Sequence, residues 1–280
     1  MTAFAHGGLV ADYELRGDAG QPTAILLHGL TVDRRIVAAA FDAPLAAAGV
    51  RRLYVDLPGH GAAVALGSDA SAASADGLAA LVTALARREL ALPDRPGELS
   101  APLVIGYSYG GYLATALVRD LSGARGLFLC CPVVEPDFAR RQQPRKRVAW
   151  RDDELPFSDD PRERAAFDEV AVQQTRAVLA AFAALVHPAN IAVDAAVVAA
   201  VRTRYALSRP LGDALANLDA PATIVCGRDD HWAGWQDATT LVRQLPRAAF
   251  SVLPDCGHLL PIEQPEALRA LVNDWLRRCA

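Results

Sequence analysis

The residues best suited to do chemistry centre on Ser108, in the pentapeptide Gly-Tyr-Ser-Tyr-Gly at residues 106–110. The apolar run at residues 102–105 predicts a buried strand, and the small and apolar residues 113–118 predict a helix. A serine with a glycine two positions away on each side, between a strand and a helix, is typical of a sharp turn that exposes its hydroxyl. Glycine is favoured there because a side chain would clash with nearby backbone or demand a forbidden φ. The pattern therefore predicts a nucleophilic serine.

A serine hydroxyl is a weak nucleophile near neutral pH, so Ser108 needs a base and a group that orients the base. His258 ends the segment Asp-Cys-Gly-His at residues 255–258, after the last predicted strand and before the final helix. Asp229 and Asp230 follow the preceding strand, at the end where open α/β sheets build their sites. The chain order is therefore serine, acid, histidine, and either aspartate offers the acid.

These residues need a sheet that brings distant loops together, and the hydrophobic pattern predicts one. Short apolar runs alternate with longer helix-compatible segments, as expected for a mostly parallel sheet covered by helices on both faces. The runs lie at residues 24–27, 53–55, 103–105, 127–130, 223–226 and 250–253. Residues 4–16 predict one or two antiparallel edge strands, and Pro265 opens an amphipathic helix that should pack on the sheet. The fold class is therefore α/β.

The interval between the fourth and fifth of these runs is about 90 residues, far more than a connecting helix requires. We expect residues 133–215 to form an inserted helical cap, and residues 1–132 with 216–280 to form the α/β core. The cap contains a basic run at residues 140–147. We interpret this run as a solvated surface, with recognition of an anionic substrate as the alternative.

Five motifs, in this order along the chain, resemble those of the α/β-hydrolase superfamily, and the resemblance covers nearly the whole chain. They are Leu-His-Gly-Leu at residues 27–30, Asp-Leu-Pro-Gly-His-Gly at 56–61, the turn at 106–110, Gly-Arg-Asp-Asp at 227–230, and Gly-His at 257–258 followed by Glu-Gln-Pro-Glu at 263–266. The resemblance implies an α/β-hydrolase fold in which Ser108 is the nucleophile, His258 the base and Asp230 the acid. Asp229 and Glu135 are the alternatives for the acid, Glu135 because some relatives place it after the preceding strand.

The same resemblance implies an oxyanion hole formed by the backbone N–H groups of Leu30 and Tyr109. The N–H of Tyr109 would also lie at a helix N-terminus, whose dipole favours negative charge. His28 and His60 lie within the turn motifs and are interpreted as structural histidines rather than catalytic ones.

This resemblance implies a serine hydrolase that cleaves an ester, thioester or lactone of a hydrophobic small molecule. We expect Tyr107, Trp150 and Trp232 to line its substrate pocket. The motifs also resemble those of carbon–carbon bond hydrolases and of the menaquinone-pathway synthase, a lyase, where the histidine acts as a base on substrate. A third alternative is a small-molecule sensor with slow or no turnover, because some relatives of this fold are receptors. None of these reactions requires a metal or an organic cofactor.

The composition argues against several other classes. A formal net charge of -4 and a pI near 5.9 give no electrostatic reason to bind nucleic acid or an anionic membrane. The N-terminus lacks the basic and apolar regions of a signal peptide, and no long apolar run predicts a membrane span. Five cysteines without a Cys-x-x-Cys pair indicate neither a disulfide framework nor a zinc site. We therefore expect buried, reduced thiols in a cytoplasmic protein. The sequence does not indicate whether the protein is a monomer or a dimer.

Overall fold

The structure is a computed structural model that describes residues 2–90, 101–121, 123–209 and 215–280. Its strands are β1 (Thr2–His6), β2 (Leu9–Arg16), β3 (Thr23–Leu27), β4 (Arg51–Asp56), β5 (Leu103–Tyr107), β6 (Gly126–Cys130), β7 (Trp150–Arg151), β8 (Gln173–Gln174), β9 (Ala222–Gly227) and β10 (Ala248–Leu253). Eight of these described strands form one sheet in the order β1-β2-β4-β3-β5-β6-β9-β10, and β7 pairs with β8 apart from it. Each of the six apolar runs predicted as strands lies within a strand of the large sheet, so the α/β prediction is confirmed.

The sheet is parallel from β4 to β10, whereas β1 and β2 pair antiparallel at its edge, as the sequence predicts. The register aligns the carboxyl ends of its central strands. Leu27 pairs with Gly106, and Tyr107 pairs with Cys130. Because these strands finish at one level, the loops that follow them meet beside Ser108.

Helices cover both faces of the sheet. The helices of this layer structure are α1 (Arg34–Ala47), α2 (Ala75–Leu90), α3 (Tyr109–Asp120) and α10 (Pro265–Cys279), with the short α8 (Ala238–Gln244) and α9 (Leu260–Glu263) near the end of the chain. Successive strand residues face opposite sides, so Ile25 packs in the apolar cluster of α2 and α3, while Leu26 packs in that of α1 and α10. The result is a fully buried parallel sheet with one core on each side.

The last helix, α10, docks on the sheet by a stripe of apolar residues, as its spacing predicts. Leu268, Val272 and Trp275 are buried in this helix. The ring of Trp275 lies edge-on to Phe128 of β6, with centroids 5.5 Å apart, and its indole N–H donates to the Pro221 carbonyl at 3.1 Å. This pairing satisfies the polar tip of a side chain that is otherwise surrounded by the core.

Between β6 and β9 the described chain forms further helices: α4 (Pro161–Val170), α5 (Arg176–Leu185), α6 (His187–Ala192) and α7 (Ala195–Thr203). Three of them begin at a side chain that caps the first turn, namely Asp160, Thr175 and Asp194. These helices lie in the stretch predicted as the cap. Residues 210–214 of that stretch lie outside the described residues, and the division into cap and core stays a prediction.

Among the described residues, no single helix is both long and apolar enough to cross a membrane. One pair of segments, Arg176–Ala192 and Ala195–Thr203, meets the criterion together by length and composition, but it is bent by 84°. These segments contribute buried residues such as Phe182 and Val201 to the apolar clusters of the fold.

Candidate active site

Ser108 lies on the turn between β5 and α3, where it caps the helix. Its backbone has φ 55° and ψ −122°, a region that costs a non-glycine residue about 1–3 kcal/mol. Backbone hydrogen bonds hold this conformation. The Ser108 N–H donates to the Cys130 carbonyl at 3.0 Å, and the Ser108 carbonyl accepts from Gly111 at 2.9 Å and from Val133 at 3.0 Å. The turn predicted from the glycine spacing is therefore present.

The glycines around Ser108 are required by close backbone approach. A Cβ on Gly106 would clash with the carbonyl oxygen of Gly110, and a Cβ on Gly110 would clash with the carbonyl oxygens of Leu27 and His28. Neither contact has a flexible side chain that could move aside. The steric interpretation of this pattern is therefore confirmed, because only glycine lets α3 pack this closely against β3 and β5.

His258 connects Ser108 to Asp230. Its Nε2 lies 2.8 Å from Ser108 Oγ, and its Nδ1 lies 2.8 Å from Asp230 Oδ2. An ionised carboxylate only accepts hydrogen bonds, so Nδ1 carries the proton and Nε2 is free to accept the serine proton. Residues far apart in sequence thus form one continuous hydrogen-bond chain.

Asp230 is fully buried, and its partners keep it ionised. Burial alone would raise the pKa of this carboxyl. The charge and hydrogen bond of His258, together with the backbone N–H groups of Trp232 and Ala233 at 2.9 Å each, hold the pKa below its ordinary value. A buried anion therefore lies behind the imidazole, where it accepts the Nδ1 hydrogen bond and fixes the orientation of the ring.

The two alternative acids are engaged elsewhere. Asp229 forms a two-pronged ion pair with Arg147 at 3.1 and 3.2 Å. Glu135 accepts a hydrogen bond from the Asp137 N–H at 3.0 Å and lies 3.5 Å from a guanidinium nitrogen of Arg140. Neither carboxylate is hydrogen-bonded to His258 in the described structure. Asp230 is the carboxylate that the structure places against the histidine.

The main chain of His258 is held by groups whose role the sequence did not predict. The Tyr107 hydroxyl donates to the His258 carbonyl at 2.8 Å. The carboxylate of Glu263, which is buried, accepts the N–H of the adjacent Gly257 at 2.7 Å. The Glu-Gln-Pro-Glu motif contains Glu263, which follows Gly257 closely in sequence, but the motif alone did not indicate that this carboxylate accepts the Gly257 N–H.

The two backbone donors predicted as an oxyanion hole belong to the turn at the serine and to the loop after β3. Tyr109 is the first residue of α3, and N–H groups in the first turn of a helix have no partner within that helix. Leu30 follows β3 and lines the cavity at Ser108. A Cβ on the preceding Gly29 would lie 2.8 Å from the Ser108 Cβ, so this loop passes close to the serine. The positions are consistent with the predicted donors.

His28 and His60 are buried structural histidines, as the sequence interpretation holds. His28 Nε2 accepts the Leu57 N–H at 3.0 Å, and His60 Nε2 accepts the Thr31 N–H at 3.1 Å. Burial lowers the pKa of each ring to about 4, so both are neutral at physiological pH. Because Thr31 follows Leu30 and has a positive φ of 67°, His60 fixes the loop that carries the Leu30 N–H.

A cavity of about 990 Å³ opens over Ser108 and His258. Of the three residues expected to line it, Tyr107 and Trp232 do, and Trp150 does not. Trp150 belongs to β7, pairs with Gln173, and is 58 % exposed. Its expected role in the pocket is therefore wrong, because the small β7–β8 sheet turns this residue toward solvent.

One cluster of described residues has the spacing of a metal site. The thiol of Cys131 and the ligand atoms of Asp230 and His258 lie within 4.8 Å of one another. Asp230 and His258 already bind each other. Burial raises the pKa of the Cys131 thiol well above its ordinary value, and metals bind the thiolate. The donor chemistry therefore fits a hydrogen-bonded pair with a buried thiol better than it fits a metal centre.

Comparisons with known proteins agree with this fold. An alpha/beta hydrolase superfamily protein from Oenococcus oeni superposes with a TM-score of 0.83 at 24% identity, covering 100% of this chain and 99% of that one. An esterase from a Rhodococcus species superposes with a TM-score of 0.71 at 20% identity, covering 99% and 98% of the two chains. At these identities the similarity establishes the fold.

A curated relative is similar over a shorter stretch. It is a 2-hydroxy-6-oxononadienedioate/2-hydroxy-6-oxononatrienedioate hydrolase from Burkholderia vietnamiensis, 34% identical over 67 residues. The match covers 24% of this chain and 23% of that hydrolase, so most of the relative's length is not spanned. The model of the alpha/beta hydrolase family matches residues 24–271, which contain the whole serine, aspartate and histidine arrangement. The chain therefore belongs to the alpha/beta hydrolase family.

Proposed function

We propose that this protein hydrolyses a carboxylic ester of a hydrophobic small molecule through an acyl-enzyme on Ser108. The observation that carries the proposal is the hydrogen-bond chain from Ser108 through His258 to Asp230, with both links 2.8 Å long. This arrangement serves acyl transfer on unrelated folds and is recognised by its geometry. Thioesters and lactones fall within the same chemistry because they present the same acyl carbonyl.

In the first half-reaction, Ser108 Oγ bonds to the acyl carbon as its proton passes to His258 Nε2. The carbonyl electron pair moves to oxygen, and the backbone N–H groups of Leu30 and Tyr109 stabilise that charge. The tetrahedral intermediate then collapses, the bond to the leaving alkoxide breaks, and His258 supplies the proton that releases an alcohol. Asp230 stabilises the imidazolium throughout.

In the second half-reaction, water replaces the alcohol. His258 Nε2 takes a proton from water as its oxygen bonds to the acyl carbon. The same two N–H groups receive the second oxyanion, and collapse breaks the bond to Ser108, which regains its proton from His258. The products are one carboxylic acid and one alcohol for each ester and water consumed.

The lining of the cavity supports an apolar substrate. Near the serine its walls include apolar side chains from both the core and the helical insertion, among them Val32, Val133, Val170, Val186 and Leu259. A volume of about 990 Å³ suits a substrate of small-molecule size. The cavity thus favours a hydrophobic ester over a peptide or a polysaccharide.

The test is loss of the serine. Ser108→Ala should lower kcat on p-nitrophenyl esters by about 10⁴- to 10⁶-fold, as for other triads. A fluorophosphonate should label the unmodified protein at Ser108, located by mass spectrometry. Ser71→Ala, an exposed serine, serves as the matched control and should behave as the unmodified protein. Turnover that survives Ser108→Ala would rule out the acyl-enzyme.

A second candidate is hydrolysis of a carbon–carbon bond. The observations that favour it are the partial similarity to an enzyme named for a dioate substrate and the presence of Arg140, Arg141 and Arg202 in the cavity wall. Assays with 2-hydroxy-6-oxo-dienoates and with esters distinguish the two reactions. Cleavage of the dienoate without ester turnover would favour the second candidate, and the reverse would favour the first.

A further inference from the structure

The wall of the cavity formed by the insertion is rich in charge. It carries three arginines, Arg140, Arg141 and Arg202. It also carries three acids, Glu135, Asp137 and Glu169. Whether a substrate meets net positive charge depends on how these groups are already paired.

The three acids all have partners. Glu135 lies 3.5 Å from Arg140, and Glu169 accepts from Lys146 at 3.0 Å. Asp137 caps the short 3₁₀ helix Phe138–Arg140, where its carboxylate accepts the Ala139 N–H at 3.0 Å. Glu135 and Glu169 are therefore paired with cations, Arg140 being the arginine that offsets Glu135, whereas Asp137 is hydrogen-bonded to backbone and keeps its charge. Arg141 and Arg202 together outnumber this one unpaired acid.

Arg141 is held in place by neutral groups. Its Nε donates to the Glu135 carbonyl at 2.8 Å, and its Nη1 donates to the Trp232 carbonyl at 3.0 Å. Its guanidinium lies 5.4 Å from the ring centroid of Phe138 and 5.5 Å from that of Tyr205. These contacts fix the orientation of the cation without neutralising it, so little side-chain entropy would be lost when it binds an anion.

Arg202 lies in the last turn of α7 and is exposed at the cavity wall. Within the four described ranges, neither Arg202 nor Arg141 forms an ion pair with a carboxylate. Both charges act on Tyr205: burial raises the pKa of its hydroxyl, and Arg141 and Arg202 oppose that rise. All three residues line the same cavity, and the Arg141 guanidinium lies over the Tyr205 ring, so two cations without an ion pair and a phenol share one region of the cavity.

We propose that Arg141, Arg202 and Tyr205 form a carboxylate-binding subsite, so that the preferred substrate is an ester whose acyl part carries a second, remote carboxylate. This inference rests on the proposed ester hydrolysis at Ser108. A guanidinium matches a carboxylate with two parallel N–H donors, and the adjacent aromatic rings help to fix the plane of the Arg141 guanidinium. A carboxylate on the acyl part retains this contact through both half-reactions, whereas one on the alcohol leaves after the first.

The test compares matched esters that differ in one charge. The probes are the mono-p-nitrophenyl esters of adipate, suberate and sebacate, each beside its neutral methyl p-nitrophenyl diester. A hydrogen bond to a charged group changes affinity by about ten- to hundredfold. The charged ester should therefore exceed the neutral one in kcat/KM by about that factor for at least one chain length.

Arg141→Gln and Arg202→Gln should each lower this ratio of charged to neutral kcat/KM, and the double variant should bring it close to one. A substitution that changes the amount of folded protein or the reactivity of Ser108 affects both esters equally, so it leaves the ratio of their kcat/KM values unchanged. Arg145→Gln is the matched control, because Arg145 is exposed in the same basic run and does not line the cavity. It should retain the ratio of the unmodified protein.

A binding measurement separates this inference from the proposed reaction. Calorimetric titration of Ser108→Ala with monomethyl suberate and dimethyl suberate should give at least tenfold tighter binding of the charged compound. If the protein turns over no ester but this preference holds, ester hydrolysis is wrong and the subsite stands. If charged and neutral esters are hydrolysed and bound equally well, or if neither arginine affects the ratio, the subsite is wrong.

Discussion

At the scale of single residues, the site depends on backbone positions that tolerate one residue type. Ser108 adopts a strained conformation, and Gly110 lets the start of α3 approach the carbonyl oxygens at the end of β3. Strain of this kind persists only where the surroundings over-determine it. The serine hydroxyl is therefore presented by close packing rather than by its own rotamer preference alone.

Gly110→Ala tests this packing. The new methyl group would meet two carbonyl oxygens, and overpacking of a well-filled site costs about 1–3 kcal/mol. We expect urea unfolding to show a loss of that size, together with reduced fluorophosphonate labelling of Ser108. Gly20→Ala is the matched control, since no atom lies within 4 Å of a Cβ at that position. Equal stability of the two variants would contradict the steric account.

The sequence predicted the parts of the site that short local motifs specify. The turn at Ser108 has a steric cause that a few residues specify, and strand ends at one edge of a parallel sheet predict that His258 and Asp230 approach it. Trp150 lies outside the cavity wall because it belongs to β7, which pairs with β8 and leaves this side chain exposed. No residue near Trp150 encodes that arrangement.

At the scale of elements, Glu263 on α9 joins the chain around β8 to the loop that carries His258. One carboxylate oxygen accepts the N–H groups of Val172 at 2.7 Å and Gln173 at 3.0 Å, and the other accepts Gly257 at 2.7 Å. Val172 leads into β8, and Gly257 precedes His258. One buried carboxylate therefore connects the segment before β8 to the loop that carries His258.

Glu263→Gln tests this connection with little change in volume. The amide offers one acceptor oxygen, so its NH₂ group must face either Gly257 or the pair of N–H groups at Val172 and Gln173. We expect a loss of about 1–3 kcal/mol in unfolding free energy. Displacement of the histidine should also lower kcat by about ten- to hundredfold with a smaller change in KM.

The matched control is Glu266→Gln, an exposed position near the start of α10, which should stay within about 0.5 kcal/mol of the unmodified protein. Normal kcat in Glu263→Gln would show that the hydrogen bonds of Glu263 are structural only. The sequence predicted the helix after Pro265, and Glu263 belongs to one of the motifs, but the motif indicated no partner for it. Its partners at Val172 and Gln173 lie about 90 residues away, so their contact follows from tertiary docking.

At the scale of the whole molecule, the pH dependence of the free energy of unfolding reflects which titratable side chains are buried. The rings of His28 and His60 lie 5.2 Å apart where the loops after β3 and β4 meet, and both accept backbone N–H groups while neutral. Their pKa of about 4 in the folded state compares with 6.5 for a free histidine. As pH falls between these values, the unfolded chain takes up protons first, so the folded state loses stability.

His60→Gln should weaken this pH dependence. Glutamine does not titrate, so the fall in unfolding free energy between pH 6.5 and pH 4 should be smaller by about 3 kcal/mol. Denaturant unfolding of both proteins at several pH values measures this difference in unfolding free energy. Burial raises the pKa of Asp56 and Glu263, so these carboxyls stabilise the folded state as pH falls and partly offset the effect of the histidines. The prediction therefore concerns the difference between the pH profiles of His60→Gln and the unmodified protein. Parallel pH profiles would contradict the prediction.

The buried cysteines allow local opening of the fold to be measured by the rate of their alkylation. All five thiols, Cys130, Cys131, Cys226, Cys256 and Cys279, are free and buried. Burial raises the pKa of Cys279 to about 11 and that of Cys131 well above its ordinary value, so the reactive thiolate is scarce in the folded state. An alkylating reagent can therefore reach each sulfur only when its surroundings open. The rate at Cys256 would report opening of the histidine loop, and the rate at Cys279 would report release of the last helix.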